Sequence, residues 1–340
     1  MNRPIRHLAL ATVASVALMS PAAAVEEQTF KITQVFASTH WHNVEGIQTF
    51  VKLVNEASEG KITFEEYHGG ALGKESTQVV TSGLADMGIL VPSYEVEKLP
   101  LTSVVELPGF HTSSCEGTHQ YWDLSKEGGA IYENEYKPLG IRPLYVMVLT
   151  PYEVQTKEKV IESVADMQGV KLRANGAMAK AVAAVGGTPV QVTSNEFYDA
   201  LARGTVDGGM WLTGSTRQVG LEGMLNHTVK GTAMGGGATF FGISEKVFQG
   251  LDADTRKILV EAGAKVTQHM CEYLDRMDAE EEKALTEAGK LTLHHLSPEE
   301  AALWNEKVST VAAEWAGDMD KSGRPGTAVL EAYRVAAEAH

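Results

Sequence analysis

Along the chain, short apolar runs alternate with longer stretches whose apolar residues recur every three or four positions. Phe30 to Phe36 reads as a strand, and Trp41 to Ser58 as an amphipathic helix closed by Gly60. Ile62 to Tyr67 alternates apolar and charged residues as a half-buried strand does. Gly73 to Ser82 is helical in pattern, and Asp86 to Val91 is a buried strand. The second half repeats the rhythm. Lys171 to Arg173 and Thr188 to Val192 are strands around a helix at Ala177 to Val185. Ser194 to Arg203 follows as a helix, with Ser194 and Asn195 as candidate caps. Ala238 to Ile243 is a strand, and Asp252 to Ala288 is strongly helical, with a bend expected at Gly263. Pro298 to Met319 forms a further helix, with Ser297 as cap and Pro298 in its first position. Alternating strands and helices predict α/β layers.

One internal similarity refines this. Gly83-Leu84-Ala85-Asp86-Met87-Gly88 resembles Gly204-Thr205-Val206-Asp207-Gly208-Gly209, each after a helical stretch and before a strand. Two such blocks point to two similarly wound lobes. No low-complexity linker separates them, so the chain is expected to cross between lobes more than once. The expected architecture is therefore a two-lobed α/β fold. Each lobe would be a mixed sheet flanked by helices, and the ligand cleft would lie between them at the strands' carboxyl ends. Residues 25–150 and about 238–278 are assigned to the first lobe, and 151–237 and about 279–340 to the second.

The N-terminus changes the setting. Arg3 and Arg6 precede an apolar or small stretch from Leu8 to Ser20, then Pro21 and Ala22-Ala23-Ala24. That is the three-part pattern of a secretory signal peptide, assigned to residues 1–24, and its apolar run is too short to span a bilayer. The expected location is the periplasm. The whole chain carries a formal charge of −15, and removing the two arginines leaves about −17. Such a charge argues against nucleic acid as a partner, and against anionic membrane surfaces. No direct membrane insertion is expected. Cys115 and Cys271 lie in helical patterns far apart in sequence, and the reading favours two buried, unpaired small hydrophobes, although export permits a bridge.

The search for catalytic chemistry finds little. There is no Gly-x-Ser-x-Gly elbow, no His-Glu-x-x-His and no phosphate-binding loop. His40 and His42 flank Trp41, but their spacing and the lack of a third ligand favour polar cleft positions over a metal site. Glu280-Glu281-Glu282 reads as a solvated helix face.

Four blocks in order carry a family resemblance. They are Tyr67-His68-Gly69-Gly70-Ala71-Leu72-Gly73-Lys74-Glu75; Gly83 to Gly88; Ala165-Asp166-Met167-Gln168-Gly169-Val170-Lys171-Leu172-Arg173; and Phe197-Tyr198-Asp199-Ala200-Leu201 followed by Val206-Asp207-Gly208. They resemble the solute-binding proteins of tripartite ATP-independent periplasmic (TRAP) transporters. The resemblance implies a two-lobed receptor of the periplasmic-binding-protein-like fold, not an enzyme, with a long helix spanning both lobes. It would close on a small organic acid and dock on a sodium-coupled TRAP membrane permease. No ATP, metal or organic cofactor is implied. A ligand-sensing subunit of a signalling receptor would have the same fold and is the alternative role.

The resemblance also implies that Arg173, which ends the strand after Asp-Met-x-Gly, holds the ligand carboxylate. A guanidinium suits this because its planar fork offers two parallel hydrogen bonds. Other positions depart from the family pattern. Glu153 stands where many relatives carry a second Arg, and Trp211 where many carry Asn. Val91 replaces a common Glu, and Ser194 a common Phe. Gly235 to Gly237 is expected to leave extra room. Together these changes disfavour a sugar acid, whose hydroxyls would go unpaired, and favour a less polar monocarboxylate stacked on Trp211. A zwitterion held by Glu153, Trp211 and Arg173 is a rival, and a third reading has Glu153 merely pairing with Arg173. Phe36, Trp41 and Tyr94 are further candidates for the cleft wall.

Overall fold

The computed structural model describes residues 25–340; the proposed signal peptide lies outside the described residues. Eleven strands form two sheets. The first contains β1 (Gln28–Thr33), β2 (Ile62–Tyr67), β3 (Met87–Leu90), β4 (Ile141–Val148) and, later in the chain, β10 (Ala238–Ser244). Its order is β2-β1-β3-β10-β4, parallel on the β2 side and antiparallel around β10. The second contains β5 (Glu153–Thr156), β6 (Lys171–Arg173), β7 (Thr188–Val190), β8 (Gly208–Trp211), β9 (His227–Lys230) and β11 (Thr292–His295). Its order is β11-β9-β5-β8-β6-β7. The central strands β3, β8 and β10 are buried at every residue, as sheets covered on both faces require.

The internal repeat has a physical basis. Gly83 and Gly204 each take a positive φ that turns the chain out of a helix. The aspartate that follows then locks onto an earlier strand of its own lobe. Asp86 accepts from the Lys31 amide at 2.8 Å while its own amide donates to the Lys31 carbonyl. Asp207 does the same with Lys171, at 2.9 Å. The same pair of bonds thus sets the register of β3 against β1 and of β8 against β6.

The lobes share chain. The segments after β4 and before β10 cross side by side, with Leu149 bonded to Gly237 and Tyr152 to Gly235. A single helix, Ala253–Glu287, provides the third connection; at 35 residues it is about 50 Å long. Asp252 caps its start by accepting from the Thr255 amide. The helix runs unbroken through Gly263, whose role is close packing: a Cβ there would sit 2.0 Å from the Leu144 carbonyl oxygen of β4. Further along, Asp275 accepts from the Ser114 and Cys115 amides of the first lobe, while Asp278 accepts from the Gly214 amide of the second.

Several expectations need correction. Cys115 and Cys271 are joined in a disulfide, with Cα atoms 4.6 Å apart across 156 residues of sequence. Both do lie on helices, but the helix Ser114–Ser125 packs against the long helix, which brings the two positions together. The helix starting at Ser194 is capped by Thr193 and Glu196 in a reciprocal capping box, not by Ser194 or Asn195. Pro298 to Met319 is divided into Pro298–Val308 and Val311–Lys321. The last helix, Gly326–Ala339, lies on the first lobe, not the second: Tyr333 stacks on Phe110 at 4.4 Å, and its hydroxyl donates to the Val105 carbonyl. The apolar face of this helix, with Val329, Leu330 and Tyr333 buried, needs a partner, and the helix Ser114–Ser125 provides it.

Candidate ligand-binding site

The strand ends converge on a narrow cavity between the lobes. Phe36 follows β1, and Val91 and Tyr94 follow β3; Arg173 ends β6 and Trp211 ends β8. Trp41 and Ser194 come from the starts of two helical segments. The structure therefore brings together seven of the eight sequence-selected residues.

Glu153 is placed elsewhere. Its carboxylate pairs with Lys230, which also pairs with Glu282, and it accepts from the Thr228 hydroxyl at 2.8 Å. Alternation along β5 explains this: Glu153 and Gln155 share one face of the strand, and Thr228, the partner of Gln155 in β9, carries the hydroxyl that reaches Glu153. Glu153 therefore neither pairs with Arg173 nor lines the cavity.

Arg173 is only 3% exposed. Its Nε donates to the Val192 carbonyl at 3.0 Å and Nη1 to the Met210 carbonyl at 3.1 Å. These bonds fix the guanidinium plane, and its remaining N–H groups face Tyr152, Glu106 and the cavity. The guanidinium carbon lies 5.4 Å from the Trp211 ring centre and 5.9 Å from that of Phe197. Gly209, beside it in β8, leaves the space that Phe197 fills; a Cβ there would meet the Phe197 ring at 2.6 Å.

The expected room at Gly235 to Gly237 is taken by the protein itself. A Cβ on Gly235 would meet the Glu106 carbonyl oxygen at 2.2 Å, and one on Gly237 the Tyr152 hydroxyl at 2.8 Å. The glycines let the crossing strands and Tyr152 pack closely behind the cavity.

Sequence reasoning missed Glu106, the one acidic residue in the apolar stretch from Val104 to Pro108. It is fully buried. The amides of Ala177 and Ala238, the Ser93 hydroxyl and Arg173 face it, yet neither carboxylate oxygen makes a well-formed hydrogen bond. Burial pushes its pKa up to about 8. A lone acid in an apolar run was the available signal.

On the opposite wall, a π-type turn at His42–Ile47 begins a helix and places His40 and His42 beside Phe36 and Trp41. The His42 ring stacks between Trp41, at 3.7 Å, and Phe36, at 4.3 Å. Burial pushes the pKa of His40 down to about 4, and that of His42 down as well. Both imidazoles are therefore neutral at ordinary pH.

Three hydrogen bonds cross the cleft. Trp41 Nε1 donates to Ser215 Oγ at 3.0 Å, the Ser194 amide to the Tyr94 hydroxyl at 3.0 Å, and Asn195 Nδ2 to the Val35 carbonyl at 3.2 Å. The lobes are closed on each other.

A cavity between two lobes, with a fixed buried guanidinium and aromatic rings in its wall, is the arrangement of a small-molecule binding site. The chain belongs to the family described as bacterial extracellular solute-binding protein, family 7, whose model matches residues 34–318. It is a family of solute-binding proteins, not of enzymes. The fold is shared with solved TRAP solute-binding proteins. One, from Rhodoferax ferrireducens T118 in complex with copurified benzoate, is 22% identical, with a TM-score of 0.82 over 92% of this chain and 98% of that one. Another, from Bordetella bronchiseptica with bound (R)- and (S)-mandelate, is 21% identical, with a TM-score of 0.80 over 92% and 99%. A third, from Sulfitobacter sp. NAS-14.1 with bound β-D-galacturonate, is 19% identical, with a TM-score of 0.77 over 90% and 99%. At these identities the likeness establishes the fold.

Proposed function

We propose that this protein is the periplasmic receptor of a TRAP transporter and captures a compact, largely apolar monocarboxylate, with an aromatic acid as the best fit. Arg173 takes the carboxylate, Trp211, Phe36 and Trp41 sandwich the body, and the closed form is handed to a sodium-coupled membrane permease. The carrying observation is a buried, geometrically fixed guanidinium at the end of a cavity walled by aromatic rings. Solved proteins of this fold hold both aromatic acids and a uronate, so the fold leaves the ligand open and the cavity walls must choose. Here Phe36, Trp41 and Trp211 give the walls broad aromatic faces, which suit the body of an aromatic acid better than a ring of hydroxyls. The zwitterion reading loses its support, because Glu153, its proposed anion, is bound to Lys230 outside the cavity.

Native mass spectrometry of the protein purified from its own periplasm is the direct test. An aromatic or similarly compact monocarboxylate is the expected passenger; a hexuronate or an amino acid overturns the ligand class. Co-purification with, and stimulation of, a reconstituted permease separates the transport role from a sensing one.

A further inference from the structure

The two cavity histidines form a chain whose proton positions follow from its geometry. The His42 main-chain amide, which can only donate, points at His40 Nδ1 at 3.2 Å. His40 Nδ1 must therefore be an acceptor, and since the ring is neutral its hydrogen sits on Nε2. The His42 ring approaches the same atom through its own Nδ1, also at 3.2 Å, so that nitrogen carries the His42 proton. His42 Nε2 is then the acceptor for the Thr239 hydroxyl at 3.1 Å. The run Thr239 to His42 to His40 is thus directional: each member donates to the next, and the last is left with one N–H. His40 Nε2 makes no hydrogen bond to the protein among the described residues, although the ring lines the cavity and stacks on Phe36 at 4.5 Å.

We propose that His40 is a specificity-determining residue. Locked in the Nε2–H tautomer by His42 and Thr239, it presents a fixed donor from the first lobe, opposite the Arg173 cation of the second. The site then selects a carboxylate carrying a second acceptor oxygen, a hydroxyl or keto group on the ring or beside the carboxylate. It rejects one that presents an ammonium there. This rests on the monocarboxylate reading above. It explains why two histidines stand beside Phe36 and Trp41 in the cavity wall, and why Thr239, on a buried strand, directs its hydroxyl to His42. Donation from a fixed neutral group adds selectivity without adding charge to a site already holding one cation.

Two matched pairs of probes provide the test: 3-hydroxybenzoate against benzoate, and mandelate against phenylacetate, by calorimetry. The parent should prefer the oxygenated member of at least one pair by about fivefold to tenfold. His40→Phe, which keeps the ring and its stacking, should erase that preference. In long-range proton–nitrogen spectra, His40 should show Nε2 protonated and His42 should show Nδ1 protonated. Thr239→Val should leave the protein folded but mix the His42 tautomers. Parent binding of none of the four probes overturns the ligand class. Equal affinity within both pairs, an unchanged preference in His40→Phe, or an Nδ1–H tautomer at His40 overturns the role of His40 and leaves the ligand class standing.

Discussion

Trp41 of the first lobe and Ser215 of the second are joined across the cleft by an indole-to-hydroxyl hydrogen bond of 3.0 Å, with both residues buried and both on the cavity wall. Opening the lobes must break this bond, so it biases the resting receptor toward closure. The ligand adds to that bias because it meets both walls only in the closed form. Ser215→Ala leaves the indole N–H unpaired in the closed state and should favour the open one. The expected result is a larger radius of gyration for the ligand-free variant in small-angle scattering, and ligand affinity reduced about threefold to tenfold, from one lost hydrogen bond. Identical scattering curves for variant and parent, without ligand, would show that the bond does not govern closure.

Arg173 has a structural duty besides its proposed role as the ligand's anchor. Truncation to Ala removes the proposed ligand anchor and deletes the side-chain donors to the Met210 and Val192 carbonyls, the second of which keeps Asn175 Nδ2 as a partner. Affinity should fall by about 2–5 kcal/mol, the usual consequence of deleting one partner of a buried charged pair. Stability should fall as well, by about 1–3 kcal/mol. Arg173→Lys keeps the charge but cannot span two carbonyls and a carboxylate at once, so it should recover little binding. Calorimetry and urea unfolding of the ligand-free variants measure the two effects separately. An Arg173→Ala protein of parental affinity would remove this residue from the site.

The lobes were legible in the sequence because each is built from local signals: a strand, a helix, a positive-φ glycine, and an aspartate that locks the next strand. The Gly83–Asp86 and Gly204–Asp207 blocks announced this before any contact was known. Arg173, Trp211 and Tyr94 were legible for a related reason, since each stands at or just after a strand end where the cleft must form. What failed depends on non-local packing. Glu153 also stands at a strand end, but its partner Lys230 comes from a neighbouring strand 77 positions later, which no local pattern specifies. The same is true of the Cys115–Cys271 bridge, and of the last helix, which returns to the first lobe after the chain has built the second. The hydrogen-bonding direction of His40 and His42 depends on a main-chain amide, which sequence does not display.

The disulfide ties two helices of the first lobe together across 156 residues. A cross-link of that span mainly restricts the unfolded chain. The Cys115→Ser, Cys271→Ser double variant should therefore lose about 2–4 kcal/mol in urea unfolding. Neither cysteine lines the cavity, and Asp275 still tethers the long helix to the amides at Ser114 and Cys115. Affinity of the folded variant for benzoate should accordingly stay within about twofold of the parent, while its resistance to unfolding drops. A large loss of affinity at temperatures where the variant remains folded would mean that the bridge shapes the cleft itself.

Glu106 gives stability a dependence on pH whose sign can be worked out. Its folded pKa, about 8, lies above that of an exposed carboxyl, so the folded chain holds a proton that the unfolded chain has released. Its contribution is full below the unfolded value near 4.5 and is lost as pH rises through 8. Glu135, pushed up to about 7 by burial, acts in the same sense. His40 and His111 oppose them: burial holds both near 4, so their contribution is full above about 6.5 and lost as pH falls toward 4. The two trends offset each other between about 4.5 and 6.5, and only the carboxyl trend remains above that. Stability should therefore decline from pH 6.5 to 8.5. Glu106→Gln, a neutral group of the same shape, should flatten much of that decline, leaving the variant more stable than the parent at pH 8.5 by roughly 4 kcal/mol and nearly equal to it at pH 5. Urea unfolding at the three pH values measures this. A parent equally stable at 6.5 and 8.5, with a variant that tracks it, would mean that Glu106 is already ionised in the folded protein, its charge neutralised by Arg173.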